Sequence, residues 1–220
     1  MLAILLVLQF SSVDAAPLFY TNRAAFEAAG GAAVVEDFND ANVPPFVICT
    51  ATGPLDSTSS NACIGSGDIA PGVSFIDVPA APSGLAFLGA GATAGATSTV
   101  FGPDAFAAGL EATFASGVRS VGFDFFGNSS APILISVMGS SGLLGLVGTT
   151  IDPSTRFFGV TLMPGDAPIV SIVTSSPSGE LIDNLAFGGV RIAIAEPPTS
   201  LLLAIALVGV ASPLLRRRRG

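Results

Sequence analysis

Short runs of β-branched and aromatic residues recur along this chain at period two, broken by glycine, proline, serine and aspartate, and the pattern leaves little choice but sheet. The alternation is clearest in Val121/Phe123/Phe125, in Ile133/Ile135/Val137 and in Phe158/Val160/Leu162. Residues two apart share one face of a pleated strand, so each triple lines a buried face while its neighbours point outward. Runs at 33–38, 46–49, 73–78, 110–114, 118–126, 133–138, 157–163, 169–174 and 181–187 carry the signal. So many short strands in one domain predict two packed antiparallel sheets, a β-sandwich or jelly roll. Phenylalanine dominates the aromatics, 16 residues against one tyrosine and no tryptophan, which suits a dry core between sheets. One short helix is readable near the start, with Thr21 as N-cap, helix formers over 22–29 and Gly30-Gly31 as the stop. The small-residue stretch 80–107 reads as a flexible loop or a small-residue strand; its GAGATAG lacks the dinucleotide-binding spacing.

Residue types that are missing narrow the chemistry. The chain has no histidine and no lysine, which removes Ser-His-Asp and Cys-His machinery, imidazole metal ligands and Schiff-base chemistry. Between 16 and 195 there are four arginines against fourteen carboxylates, a net charge of −10. A surface this acidic repels phosphate backbones and excludes nucleic acid as a partner.

The two ends stand apart from the folded middle. Residues 2–10 are an apolar run of signal-peptide length, and Val13 and Ala15 supply the small residues for cleavage after Ala15. The usual positive n-region is missing ahead of that run, which places the expected start codon upstream. At the other end, Glu196-Pro197-Pro198-Thr199 leads into an apolar run over 201–215, followed by Arg216, Arg217, Arg218 and Arg219. The run reads as a short transmembrane helix, and the positive-inside rule keeps the arginines cytoplasmic with everything before Glu196 outside. The predicted organisation is a signal peptide over 1–15, an ectodomain over 16–195 and a C-terminal tag over 196–220.

This ending resembles the PEP-CTERM sorting signal: a Pro-Glu-Pro-Ser/Thr motif, a marginal transmembrane helix and a terminal arginine cluster. Glu196, Pro197 and Thr199 match the motif, while Ala195 stands where the first proline usually is. The resemblance implies exosortase, a membrane protease-transpeptidase, as a partner that recognises and removes the tag. It also implies transient residence in the inner membrane, then the cell surface or extracellular space. The stretches LFYTNRAAFEAAGG, VEDFND, VRSVGFDFFG, TRFFGV and ELIDNLAFGG are similar to ectodomains that carry this tag. That similarity implies a β-sandwich and supplies no catalytic residues.

Cys49 and Cys63 are the two cysteines, and an even count in an exported chain predicts a disulfide. Asp183 shares strand parity with Leu181, Leu185 and Phe187, so regular pleating turns it toward the core, where a lone carboxylate needs donors or a cation. A similar aspartate in several jelly-roll carbohydrate-binding domains helps hold a structural calcium, with Asp37 and Glu36 as the local co-ligands here. The alternatives are a β-bulge that turns Asp183 outward or a backbone-capping role. Asn128-Ser129-Ser130 matches a glycosylation acceptor. No cofactor is expected apart from that calcium.

The leading expectation is a non-enzymatic surface or extracellular-matrix protein associated with exopolysaccharide and biofilm. One alternative is a carbohydrate-binding module, whose mark is an aromatic platform for sugar stacking. The other is a secreted glycosidase, which requires two carboxylates facing one cleft.

Overall fold

The alternating runs pair as the period predicts. The computed structural model describes residues 16–78, 84–105, 108–127, 132–150, 156–163 and 165–189. In chain order its elements are β1 (Leu18–Tyr20), α1 (Arg23–Ala28), β2 (Val34–Glu36), β3 (Ile48–Ala51), β4 (Leu55–Asp56), β5 (Val73–Val78), β6 (Leu85–Leu88) and β7 (Val100–Pro103). There follow β8 (Gly109–Val118), β9 (Ser120–Phe126), β10 (Pro132–Gly139), β11 (Gly142–Thr150), β12 (Arg156–Thr161), β13 (Ile169–Ser175) and β14 (Leu181–Gly188). One sheet runs β1-β12-β9-β14-β7-β6-β3, with β2 also on β14; the other runs β11-β10-β13-β8-β5-β4. All pairings among the described residues are antiparallel. From β7 onward the chain crosses between sheets at every step except the β10–β11 hairpin, as in a jelly-roll-like sandwich.

The core sits between the sheets and is built by the expected triples. Val121, Phe123, Phe125, Ile133, Ile135, Val137, Phe158, Val160 and Leu162 are all buried in one apolar cluster. Phe38, Phe75, Phe87 and Phe101 close the other end of that core, with Phe38 and Phe101 stacked at 4.8 Å between centroids.

Helix α1 lies on the outer face of the first sheet. Its N-cap is Asn22 and not Thr21: Asn22 has extended backbone and its side chain accepts a hydrogen bond from the Ala25 amide at 3.0 Å. Phe26 anchors it, fully buried over Gly122 and Gly159, which are cross-strand partners. A Cβ on Gly159 would come within 2.8 Å of both Phe26 and Phe157, so this pair of glycines makes the seat for two rings. Arg23 completes the attachment with a 2.9 Å ion pair to Asp124 and its guanidinium 4.8 Å from the Phe157 ring centre.

The stretch 80–107, expected as a loop or a small-residue strand, holds two strands, β6 and β7, joined by the glycine-rich connection. Leu85, Phe87 and Phe101 turn inward from them and are fully buried. Cys49 and Cys63 are bridged, with Cα atoms 5.7 Å apart. A loop of this size is stabilised by about 3 kcal/mol on chain-entropy grounds. Asp56 and Asn61 tie it further, accepting hydrogen bonds from Thr58, Ser59, Cys63 and Ile64.

No helix among the described residues is long and apolar enough to cross a membrane. The signal peptide, the glycosylation acceptor, the sorting motif from Glu196 to Thr199, the apolar run 201–215 and Arg216 to Arg219 lie outside the described residues.

Candidate functional site

Strand parity in β14 breaks at Asp183 and Asn184. Ile182 faces the core, but so do Leu185 and Phe187, so one residue is out of step between them. The register against β9 shifts between Asp183 and Ala186, and Asn184 takes the left-handed conformation with φ 50°. Asparagine tolerates that conformation better than most residues. Asp183 therefore points out of the core, alongside its cross-strand partner Asp124. Of the readings open for Asp183, the β-bulge that turns it outward is the one found, and the core-facing position expected from regular pleating is corrected.

Although outward, Asp183 is 1% exposed, roofed by the loop before β7. It accepts hydrogen bonds from the Ser98 hydroxyl at 2.5 Å and the Asn184 amide at 2.6 Å. Burial pushes its carboxyl up to about 6 against those two bonds, with Asp124 and Asp37 adding repulsion. Glu36 is also buried, and its two oxygens accept the Phe38 and Ala70 amides at 2.7 and 2.5 Å. Burial raises its pKa, while the amides pull it down. Asp37 is exposed and caps the Asn39 amide. Among the described residues no three carboxylates or thiolates gather closely enough to hold a metal ion. The expected calcium ligands are each occupied with main-chain or hydroxyl donors.

A cleft of about 200 Å³ opens elsewhere on the same outer face, across β3, β6 and β7. Its floor is a pair of small residues in register, Thr50 opposite Ala86, and Gly102, opposite Ala86 on its other side, is buried beyond it. A Cβ on Gly102 would meet the Glu180 carbonyl at 2.4 Å, so the lead-in to β14 can cross there only over glycine. Ile48, Leu88 and Leu181 give the walls an apolar character, with Ser178 and Gly179 at the rim. Asp104 stands exposed at one end, its Oδ1 holding the Gly84 amide at 2.7 Å. At the other end Phe46, 77% exposed, lays its ring against Gly91, next to the lining residue Ala92. The sequence reading placed Phe46 in a strand; its φ of 64° takes it out of the pleat and presents the ring to solvent.

Glu180 also borders the cleft, but its side chain turns inward. It is fully buried, with Oε1 accepting the Thr174 hydroxyl at 2.9 Å and Oε2 lacking a partner among the described residues. Desolvation pushes this carboxyl up to about 7, against the Thr174 hydroxyl bond. Among the described residues the cleft presents one exposed carboxylate, Asp104, where glycoside hydrolysis would need two.

No protein-family model matches the chain, and no curated protein does. Among solved structures it is similar to the module CsCBM6-3 from Clostridium stercorarium in complex with cellobiose, at 18% identity over 53% of this chain and 93% of that one, TM-score 0.32. It is also similar to a mutant of the family 29 carbohydrate-binding module CBM29-2, at 16% identity over 68% and 99%, TM-score 0.35. A third is the family 11 carbohydrate-binding module of a cellulosomal cellulase of Clostridium thermocellum, at 15% identity over 63% and 96%, TM-score 0.32. Similarity of this degree leaves the site to be read from its own residues.

Proposed function

We propose that this chain is an exported, non-enzymatic surface or matrix protein whose sandwich binds neutral polysaccharide in the cleft across β3, β6 and β7. The observation that carries the reading is the small-residue floor between an exposed ring and an exposed carboxylate. A flat sugar ring needs close approach to an apolar surface, an aromatic face to stack on and a few hydrogen-bond acceptors for its hydroxyls. Thr50 and Ala86 allow the approach, Phe46 offers the face, and Asp104 accepts. From Ile48 to Ala51 the floor runs about 10 Å at the rise of a strand, the length of a short oligosaccharide. The net charge of −10 over 16–195 repels uronate-rich or sulfated chains and leaves uncharged glycans as the class.

Calorimetric titration with neutral gluco- and manno-oligosaccharides tests this. Asp104→Asn is expected to weaken binding about tenfold, the effect of losing a hydrogen bond to a charged group. Thr50→Trp is expected to abolish binding by filling the floor, with the thermal melt unchanged. Binding that survives both variants would place the ligand elsewhere and end the reading.

Delivery rests on the two ends of the sequence. The order Glu196-Pro197-Pro198-Thr199, apolar run and four arginines supports sorting by exosortase. C-terminal mass mapping of the mature protein is expected to find residues 196–220 removed; retention of all four arginines would make the tag a plain anchor.

A further inference from the structure

Among the described residues five strands have an open edge: β1, β2 and β3 in one sheet, β4 and β11 in the other. Four are short, at three, three, four and two residues. β11 is nine residues long and is paired on one side only, to β10. Open edges are templates for another strand unless charge, proline or a bulge blunts them. β11 carries neither charge nor proline. Its register slips once, opposite Val137 and Met138, which leaves Gly145–Thr150 unbroken. Among the described residues, no main-chain hydrogen bond from that run leaves the β10 ladder.

Charge decides what can sit there. Residues 125–151 contain no ionisable side chain, in a body that carries −10 over 16–195. A charged partner gains nothing from this strand, whereas two copies of the same acidic body repel over most of their surface and not here. The outward side chains beside the edge are apolar: Leu146 is 53% exposed, Leu143 57% and Leu134 45%. We propose that a second copy of this chain pairs with this edge, β11 to β11 and antiparallel about a two-fold axis, so that two six-stranded sheets become one. The free N–H and C=O groups of Gly145–Thr150 supply the hydrogen bonds, and Leu146 packs against its own copy, diagonally across the axis.

The test uses the full chain in mild detergent, followed by sedimentation velocity. Position 146 is exposed, so Leu146→Lys and Leu146→Glu should melt as the parent does. In an antiparallel self-pair with its axis at Val147, residue 146 lies opposite residue 148 of the second copy and the two copies of residue 146 are diagonal neighbours within about 8 Å. Wild type is expected to self-associate, each variant alone to do so at least about fivefold more weakly, and an equimolar mixture of the two to recover. Amide exchange over Gly145–Thr150 should slow on association. A wild type that stays monomeric at the highest attainable concentration overturns the proposal. So does association that both variants retain, which would point to the apolar run 201–215, and so does a mixture that fails to recover.

Discussion

Raising the pH from about 5 to about 8 is expected to destabilise this sandwich by several kcal/mol, with Glu180 the main cause. The carboxyl sits fully buried, one oxygen on Thr174 and the other without a hydrogen-bond partner among the described residues. Burial raises it from 4.5 to about 7. Below about pH 4.5 the proton is bound in both folded and unfolded chains, and the site carries no penalty. Between those values the unfolded chain has released its proton while the folded one still holds it, so stability falls as pH rises, and the loss is complete above about 7. A shift of that size corresponds to about 3 kcal/mol. Asp183, raised from 3.8 to about 6 by desolvation, acts in the same direction over a lower window, and Glu36 shares the sign. Glu180→Gln keeps the shape and does not titrate, so its urea midpoint should exceed the parent's at pH 8 and the slope across the neutral range should flatten. Equal slopes in the two proteins would show that Glu180 is solvated.

Phe26→Ala is expected to cost about 3–5 kcal/mol, the range for a buried phenylalanine, and to lower the melting temperature by roughly 10 °C or more. The ring fills the seat above Gly122 and Gly159 and touches Phe157 and Tyr20, at 5.5 and 5.9 Å between centroids. Without it, α1 keeps only Arg23, whose ion pair is part-buried and whose stacking partner Phe157 loses its neighbour. Glu27→Ala on the same helix is the control: its contact to Arg23 is 4.0 Å long and exposed, worth a few tenths of a kcal/mol. A Phe26→Ala loss under about 1 kcal/mol would mean that the two strands beneath hold their shape unaided.

The triples at 121–125, 133–137 and 158–162 were legible because large apolar residues recur at period two with smaller or polar residues between them, whether the other face is partly solvated as in β10 or covered by α1 as in β9 and β12. The disulfide was legible from the count alone. β1 and β4 were not, because three and two residues are too few to show a period. β6, β7 and β11 hid behind alanine and glycine, whose intrinsic strand preference is poor, and tertiary pairing overrode it. Parity alone misplaces Asp183 because a bulge consumes one residue; a lone carboxylate among apolar neighbours left the bulge open as an alternative, and Asn184 marks where it falls. The cleft left no motif, since its floor is one small residue from each of two separate strands, Thr50 and Ala86.

The strand order also fixes when this domain can exist at all. β1 waits for β12, and Tyr20 and Thr161, which bond through their hydroxyls at 3.1 Å, lie 141 residues apart. β2 and much of the first sheet wait for β14, the last strand, which ends at Gly188. No N-terminal fragment can close its own core, so the chain must be held unfolded until nearly all of it has been made. Such long-range pairing folds slowly. A nascent or truncated copy would expose its phenylalanines to whatever lies nearby, which makes a holding chaperone a requirement of this topology and incomplete synthesis its main hazard.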